Sequence, residues 1–145
     1  MQLTPGRGVD NLVFGMHKTD IVKMLGKADR IFKAEDDENE LIYQYNKLKL
    51  RLTFYEQEDG RLGYIRCANP AVEYDGRKII GEPAASVAKD VFGDDMDFEV
   101  EVYDFFDTYL DAESWIVLNV DYGNVTDIEI GVPYDDEEEA FVWPE

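Results

Sequence analysis

The chain has 145 residues, with 14 lysines and arginines against 33 aspartates and glutamates, for a formal net charge of −19. All 14 basic side chains lie at or before Lys89, where they meet 14 acidic ones, whereas residues 90–145 hold 19 carboxylates and no Lys, Arg or His. Phosphate contacts need clustered cations, so this field excludes nucleic acid and anionic membranes as partners of the acidic half and makes a basic protein the natural one.

At 45% hydrophobic and 13% aromatic the chain has material for a real core, which argues against disorder from charge alone. Its single cysteine, Cys67, allows no intrachain disulfide and fits a reducing compartment. The start, Met-Gln-Leu-Thr-Pro-Gly-Arg-Gly, has no apolar stretch of a signal peptide, and no apolar run approaches the roughly 20 residues of a membrane span. A soluble cytoplasmic protein is expected.

In chain order, the first predicted element is a short helix between Gly15 and Gly26, with Ile21, Val22, Met24 and Leu25 as its apolar stripe. Strands are predicted over Arg30–Lys33 and Leu41–Tyr45, flanking the polar turn at 35–39, and then over Leu50–Phe54 and Ile65–Pro70. A second bracketed helix follows between Gly81 and Gly93, with Val87, Ala88, Val91 and Phe92 as its stripe and Pro83 in its first turn. Strands at Phe98–Tyr103, Phe105–Leu110, Ile116–Val120 and Ile128–Pro133 complete the pattern. The two helices start 66 residues apart, and so do the strands beginning at Leu50 and Ile116. The expectation is an α+β fold, a tandem repeat of a short helix plus a four-stranded antiparallel meander, with helices packed on one sheet face. Residues 1–75 form the first unit, 76–134 the acidic second unit and 135–145 an acidic tail in which Phe141 and Trp143 could dock.

The stretch from Pro5 to Asp29, PGRGVDNLVFGMHKTDIVKMLGKAD, with Leu50–Phe54 and Tyr64–Cys67, resembles small bacterial proteins carrying the pattern GVG…LGM-x-x-x-x-V-x-x-LG-x-P-D. That group is similar to the two-repeat β-lactamase inhibitory protein and to the SmpA/OmlA lipoprotein family, and several such proteins are immunity proteins. The resemblance implies a non-enzymatic inhibitor or binding module.

The residues offer little chemistry. His17, the only histidine, has no nucleophile placed beside it by spacing and stands where a cap or a surface side chain would. Cys67 shares the inward phase of Ile65, which predicts a buried, inert thiol. Asp95, Asp97, Glu99 and Glu101 alternate along a strand at about 6.5–7 Å, too widely spaced to hold one ion, so no metal is expected. Gly6 and Gly8 lack the following helix and lysine of a phosphate loop, and no cofactor is expected.

The charge on the strands is more informative. Inward Leu48, Leu50, Leu52 and Phe54 set Lys47, Lys49 and Arg51 outward, with Arg66 beside them. Inward Ile116, Leu118, Val120, Ile128 and Ile130 instead set Trp115, Val117, Asp121, Asp127 and Glu129 outward, beside Glu99 and Glu101. Those seven residues are the candidate partner-binding site, an aromatic anchor among steering charges. The expected function is an immunity protein that neutralises a basic bacterial toxin, such as a nuclease, without turning anything over. A mimic of DNA and a general assembly scaffold are the alternatives.

Overall fold

The computed structural model describes residues 1–144. Eight segments of alternating apolar residues become strands: β1 (Arg30–Lys33), β2 (Glu40–Tyr45), β3 (Leu50–Tyr55), β4 (Arg61–Cys67), β5 (Glu99–Val102), β6 (Asp107–Asp111), β7 (Ile116–Asp121) and β8 (Asn124–Gly131). They form one antiparallel sheet in the order β5-β6-β7-β8-β4-β3-β2-β1. Two four-stranded meanders therefore meet through their last strands, with Arg66 opposite Glu129 and Ile65 opposite Ile130 at the join.

The expected α+β tandem repeat of a helix plus a four-stranded meander, with helices packed on one sheet face, is overturned: the strands form one continuous eight-stranded sheet and the helices are two short segments. Strand accounts for 44% of the chain and helix for 16%, so the protein is mostly β. Helix α1 (Lys18–Leu25) has eight residues, about 12 Å at 1.5 Å per residue, whereas eight strands at about 4.8 Å spacing make a sheet roughly 34 Å wide. The second helical segment is α2 (Ala84–Ser86), followed by a π turn at Val87–Phe92 and a 3₁₀ turn at Gly93–Asp95. Of the predicted α1 stripe only Ile21 is buried, while Val22 and Met24 are 40% and 43% exposed.

Other segments complete the cover. A ribbon of three two-residue strands, Leu3–Thr4, Gly8–Val9 and Leu12–Val13, precedes α1. Its Leu3, Val9 and Leu12, with Phe14 directly after it, join Val72, Ile79 and Phe92 in the same core as Leu52, Phe54, Ile65, Leu118 and Ile128 of the sheet. None of this ribbon shows a helical or a long alternating pattern, because each strand is only two residues long. Among the described residues no helix is long and apolar enough to cross a membrane.

The inner hairpins of the two halves share one feature, the place of a bulge. A bulge interrupts β3–β4 between Thr53 and Phe54, and another interrupts β7–β8 between Asn119 and Val120, 66 residues further on. The turn lengths differ. Tyr122 and Gly123, both at positive φ, close β7–β8 in two residues, the geometry that matches strand twist. A 3₁₀ turn at Glu56–Glu58 followed by Asp59 and Gly60 closes β3–β4.

The acidic C-terminal segment folds back as a second ribbon, Tyr134–Asp135 against Ala140–Phe141. Phe141 packs its ring 5.5 Å from that of Tyr55, and Arg61 lies 5.3 Å over the Trp143 ring. Glu145, the last residue of the predicted tail, lies outside the described residues.

If the ribbon rather than the helix carries the cover, Phe14→Ala should cost about 3–5 kcal/mol, as for a core aromatic. Met24→Ala, on the exposed side of α1, should stay within about 0.5 kcal/mol. Urea denaturation of the two variants measures the difference.

Candidate partner-binding face

Strand alternation leaves one sheet face away from the core, and the register fixes what shares it. One row runs across all eight strands, from β1 to β5, as Arg30, Gln44, Arg51, Arg66, Glu129, Val117, Leu110 and Glu99. The charge changes sign between β4 and β8, at the join of the two meanders. A neighbouring row on the acidic side carries Asp127, Asn119, Thr108 and Glu101.

The seam itself is bonded. Arg66 donates to Asp127 Oδ2 through Nη2 at 2.8 Å and Nε at 3.2 Å. Asn119 bonds the other Asp127 oxygen and donates to Glu129 Oε2 at 2.7 Å, while the Tyr64 hydroxyl donates to Glu129 Oε1 at 3.0 Å. Burial works against the Arg66 charge, but Asp127, with Glu129 behind it, more than compensates and raises its pKa. On the basic side Arg30 and Arg51 approach the Phe32 ring at 4.3 and 5.5 Å, and Arg51 also donates to Gln44 at 3.0 Å.

Two strand glycines admit aromatic rings onto this face. Trp115, held at a positive φ of 53°, lays its indole over Gly131, where a Cβ would stand 2.1 Å from the indole Cδ1. Tyr55 covers Gly63 in the same way, leaving 2.2 Å for a Cβ. With Tyr64, Tyr134 and Phe141 these rings line a cleft of about 510 Å³ between the sheet and the C-terminal ribbon. The Tyr55 and Tyr64 phenols are pushed well above their usual range, by burial first and then by Glu40 and Glu129 respectively.

The candidate residues divide accordingly. Trp115, just before β7, lies beside Val117 of β7 and Asp127 and Glu129 of β8, with both carboxylates engaged in the seam. Glu99 and Glu101 stand exposed on the edge strand, three strands from β8 or about 14 Å away. Asp121 is exposed at the tip of the β7–β8 hairpin. His17 is the N-cap of α1, where the Asp20 carboxylate accepts its backbone N–H, and its ring lies 3.4 Å from Asp59. Cys67 is buried, and burial pushes its thiol up, away from the reactive thiolate.

The sequence reading missed the cleft and its lining Glu40, Tyr55 and Tyr64. A signal was present: an isolated glycine within a strand marks a bulge or a close approach, and both Gly63 and Gly131 sit in strands. The partner rings were not legible, since they come from segments 55, 115 and 141, brought together only by the fold.

No protein-family model and no curated protein matches the chain. Among solved structures, a DUF4309 family protein (YjgB) from Bacillus subtilis subsp. subtilis str. 168 is similar, with a TM-score of 0.54, 15% identity and 87% of each chain covered. An extracellular protein containing an SCP domain from Bacillus anthracis str. Ames matches with a TM-score of 0.49 and 11% identity, over 90% of this chain. The chain spans about half the length of that second protein, 49%. At these identities the likeness to the first protein shows a shared fold alone.

The seam and the buried phenols each give a measurable consequence. A double-mutant cycle of Arg66→Ala with Asp127→Ala should return a coupling of about 1 kcal/mol, since the pair is only partly exposed. Tyr55 and Tyr64 hold their protons more tightly folded than unfolded, so their contribution is complete below the unfolded value of about 10 and is lost as pH rises beyond it. Absorbance titration should show two of the nine tyrosines ionising only with alkaline unfolding.

Proposed function

We propose that this chain is a non-enzymatic binding protein, an immunity protein that acts in the cytoplasm and covers the cationic active-site region of a basic bacterial toxin. The observation that carries the reading is the outer face of the sheet, whose charge reverses at the β4–β8 join and whose acidic half holds the half-exposed Trp115. Glu99, Glu101 and Asp121 are exposed and suited to steering a basic partner, while Trp115 is suited to anchoring it once docked. The opening motif and its resemblance to immunity proteins point the same way.

Affinity purification at low salt from the source cell should recover one basic protein. Against that protein, Glu99→Lys with Asp121→Lys should slow association about tenfold and leave dissociation little changed. Trp115→Ala should instead accelerate dissociation about tenfold or more. Asp127 is unsuited to this test, because reversing its charge would set two cations together at the seam. Recovery of no basic protein, or rates indifferent to all three changes, would sink the reading; steeply salt-dependent capture of many unrelated cationic proteins would favour a nucleic-acid mimic instead.

A further inference from the structure

The aromatic cleft has a charge problem of its own. Three carboxylates, Asp36, Glu40 and Glu129, share its lining with the five rings, and no Lys, Arg or His lines it. The two guanidinium groups on the adjoining strand are directed elsewhere, Arg66 to Asp127 at 2.8 Å and Arg61 to the Trp143 ring at 5.3 Å. Glu40 feels the imbalance: burial, then Asp37 and Asp36, make its carboxyl harder to ionise than usual. A cleft lined by five aromatic rings and three carboxylates attracts a cation, since a ring face carries a negative quadrupole and a carboxylate a full charge.

The chemistry of the cation can be narrowed. Among the described residues no three acidic, His or Cys side chains are grouped to hold a metal ion, so the carboxylates ring an organic cation better than they coordinate a metal. Glu129 already accepts from Tyr64 on one oxygen and from Asn119 on the other. One lone pair of each Glu129 oxygen is thus taken, so a two-pronged guanidinium would have to share both oxygens with these donors, whereas a compact ammonium needs only one remaining lone pair. The same two bonds fix the Glu129 carboxylate before anything arrives, which lowers the ordering cost of binding.

The geometry points to this cleft as a receptor for an alkylammonium head, with a lysine side chain of the basic partner as its occupant. The source of the lysine rests on the binding function proposed above; the recognition of an alkylammonium by the cleft does not. Trp115 forms one wall, so the anchor and the receptor for the partner's charge are a single structure. An alkyl chain entering along the indole and the Phe141 ring would remove apolar surface from water while its ammonium met Glu40 and Glu129.

The probe is n-butylammonium chloride, titrated at constant ionic strength against Trp115 fluorescence in a Trp143→Phe background. If that variant does not fold, the indole N–H resonance of Trp115 in the unaltered chain gives the same readout. The expected result is a saturable millimolar response, about tenfold weaker for the neutral isostere n-butanol and weaker by a similar factor after Glu40→Gln with Glu129→Gln. Urea denaturation confirms that the double variant is folded. An equal response to n-butanol, a response unaffected by the two amide substitutions, or none at all would overturn the proposal. The partner's own lysine is tested by replacing, in the basic protein once purified, each surface lysine by methionine in turn. One replacement should weaken binding to the unaltered chain about tenfold yet have no further effect on Trp115→Ala, and the absence of any such lysine would overturn the assigned occupant. Ammonium binding without any protein partner would retain the cleft and remove only the function proposed for the whole face.

Discussion

The pairing of β4 with β8 is the constraint from which the rest follows. Each meander ends in a strand with one free edge, and joining those edges turns two four-stranded pieces into one sheet with one core. The join sets Ile65 against Ile130 on the covered face and Arg66 against Glu129 on the other. A slip of one residue there would turn one strand over, exposing its isoleucine and burying its charged residue, so the hydrophobic requirement on one face holds the electrostatic arrangement of the other in register.

That coupling explains how a strongly unbalanced chain folds without self-repulsion dominating the sheet. The acidic half meets the basic half where the two are closest, and Arg66, Asp127, Asn119, Glu129 and Tyr64 satisfy one another across the boundary. Carboxylates further from the seam, at Glu99, Glu101 and Asp121, remain exposed to solvent. The structure thus separates charges spent on internal pairing from charges left to face outward. Only the second kind remains available to charges outside the molecule.

The aromatic cleft depends on the same frame in a different way. Gly63 and Gly131 lie in β4 and β8, the two central strands, and their missing side chains are what let Tyr55 and Trp115 lie flat on the sheet. The C-terminal ribbon then closes over them through Tyr134 and Phe141. A chain end read from its sequence as an acidic tail is, in space, one wall of an aromatic cleft.

Alternation of apolar and polar residues was enough to place all eight strands of the sheet to within a few residues, because a half-buried strand imposes a period of two on its sequence. It was also enough to assign Leu52, Ile65, Leu118 and Ile128 inward and Arg51, Arg66, Val117 and Glu129 outward. The same reading overestimated the helices, since a three-and-four spacing of apolar residues such as Val22 and Met24 shows an amphipathic pattern without showing that anything covers it. It also missed the N-terminal ribbon, whose two-residue strands are shorter than any period. What only the tertiary structure decided was which carboxylates are neutralised and which rings share a cleft. Those facts depend on distances between Tyr55, Trp115 and Phe141, and between Arg66 and Asp127, and separation along a chain does not determine separation in space.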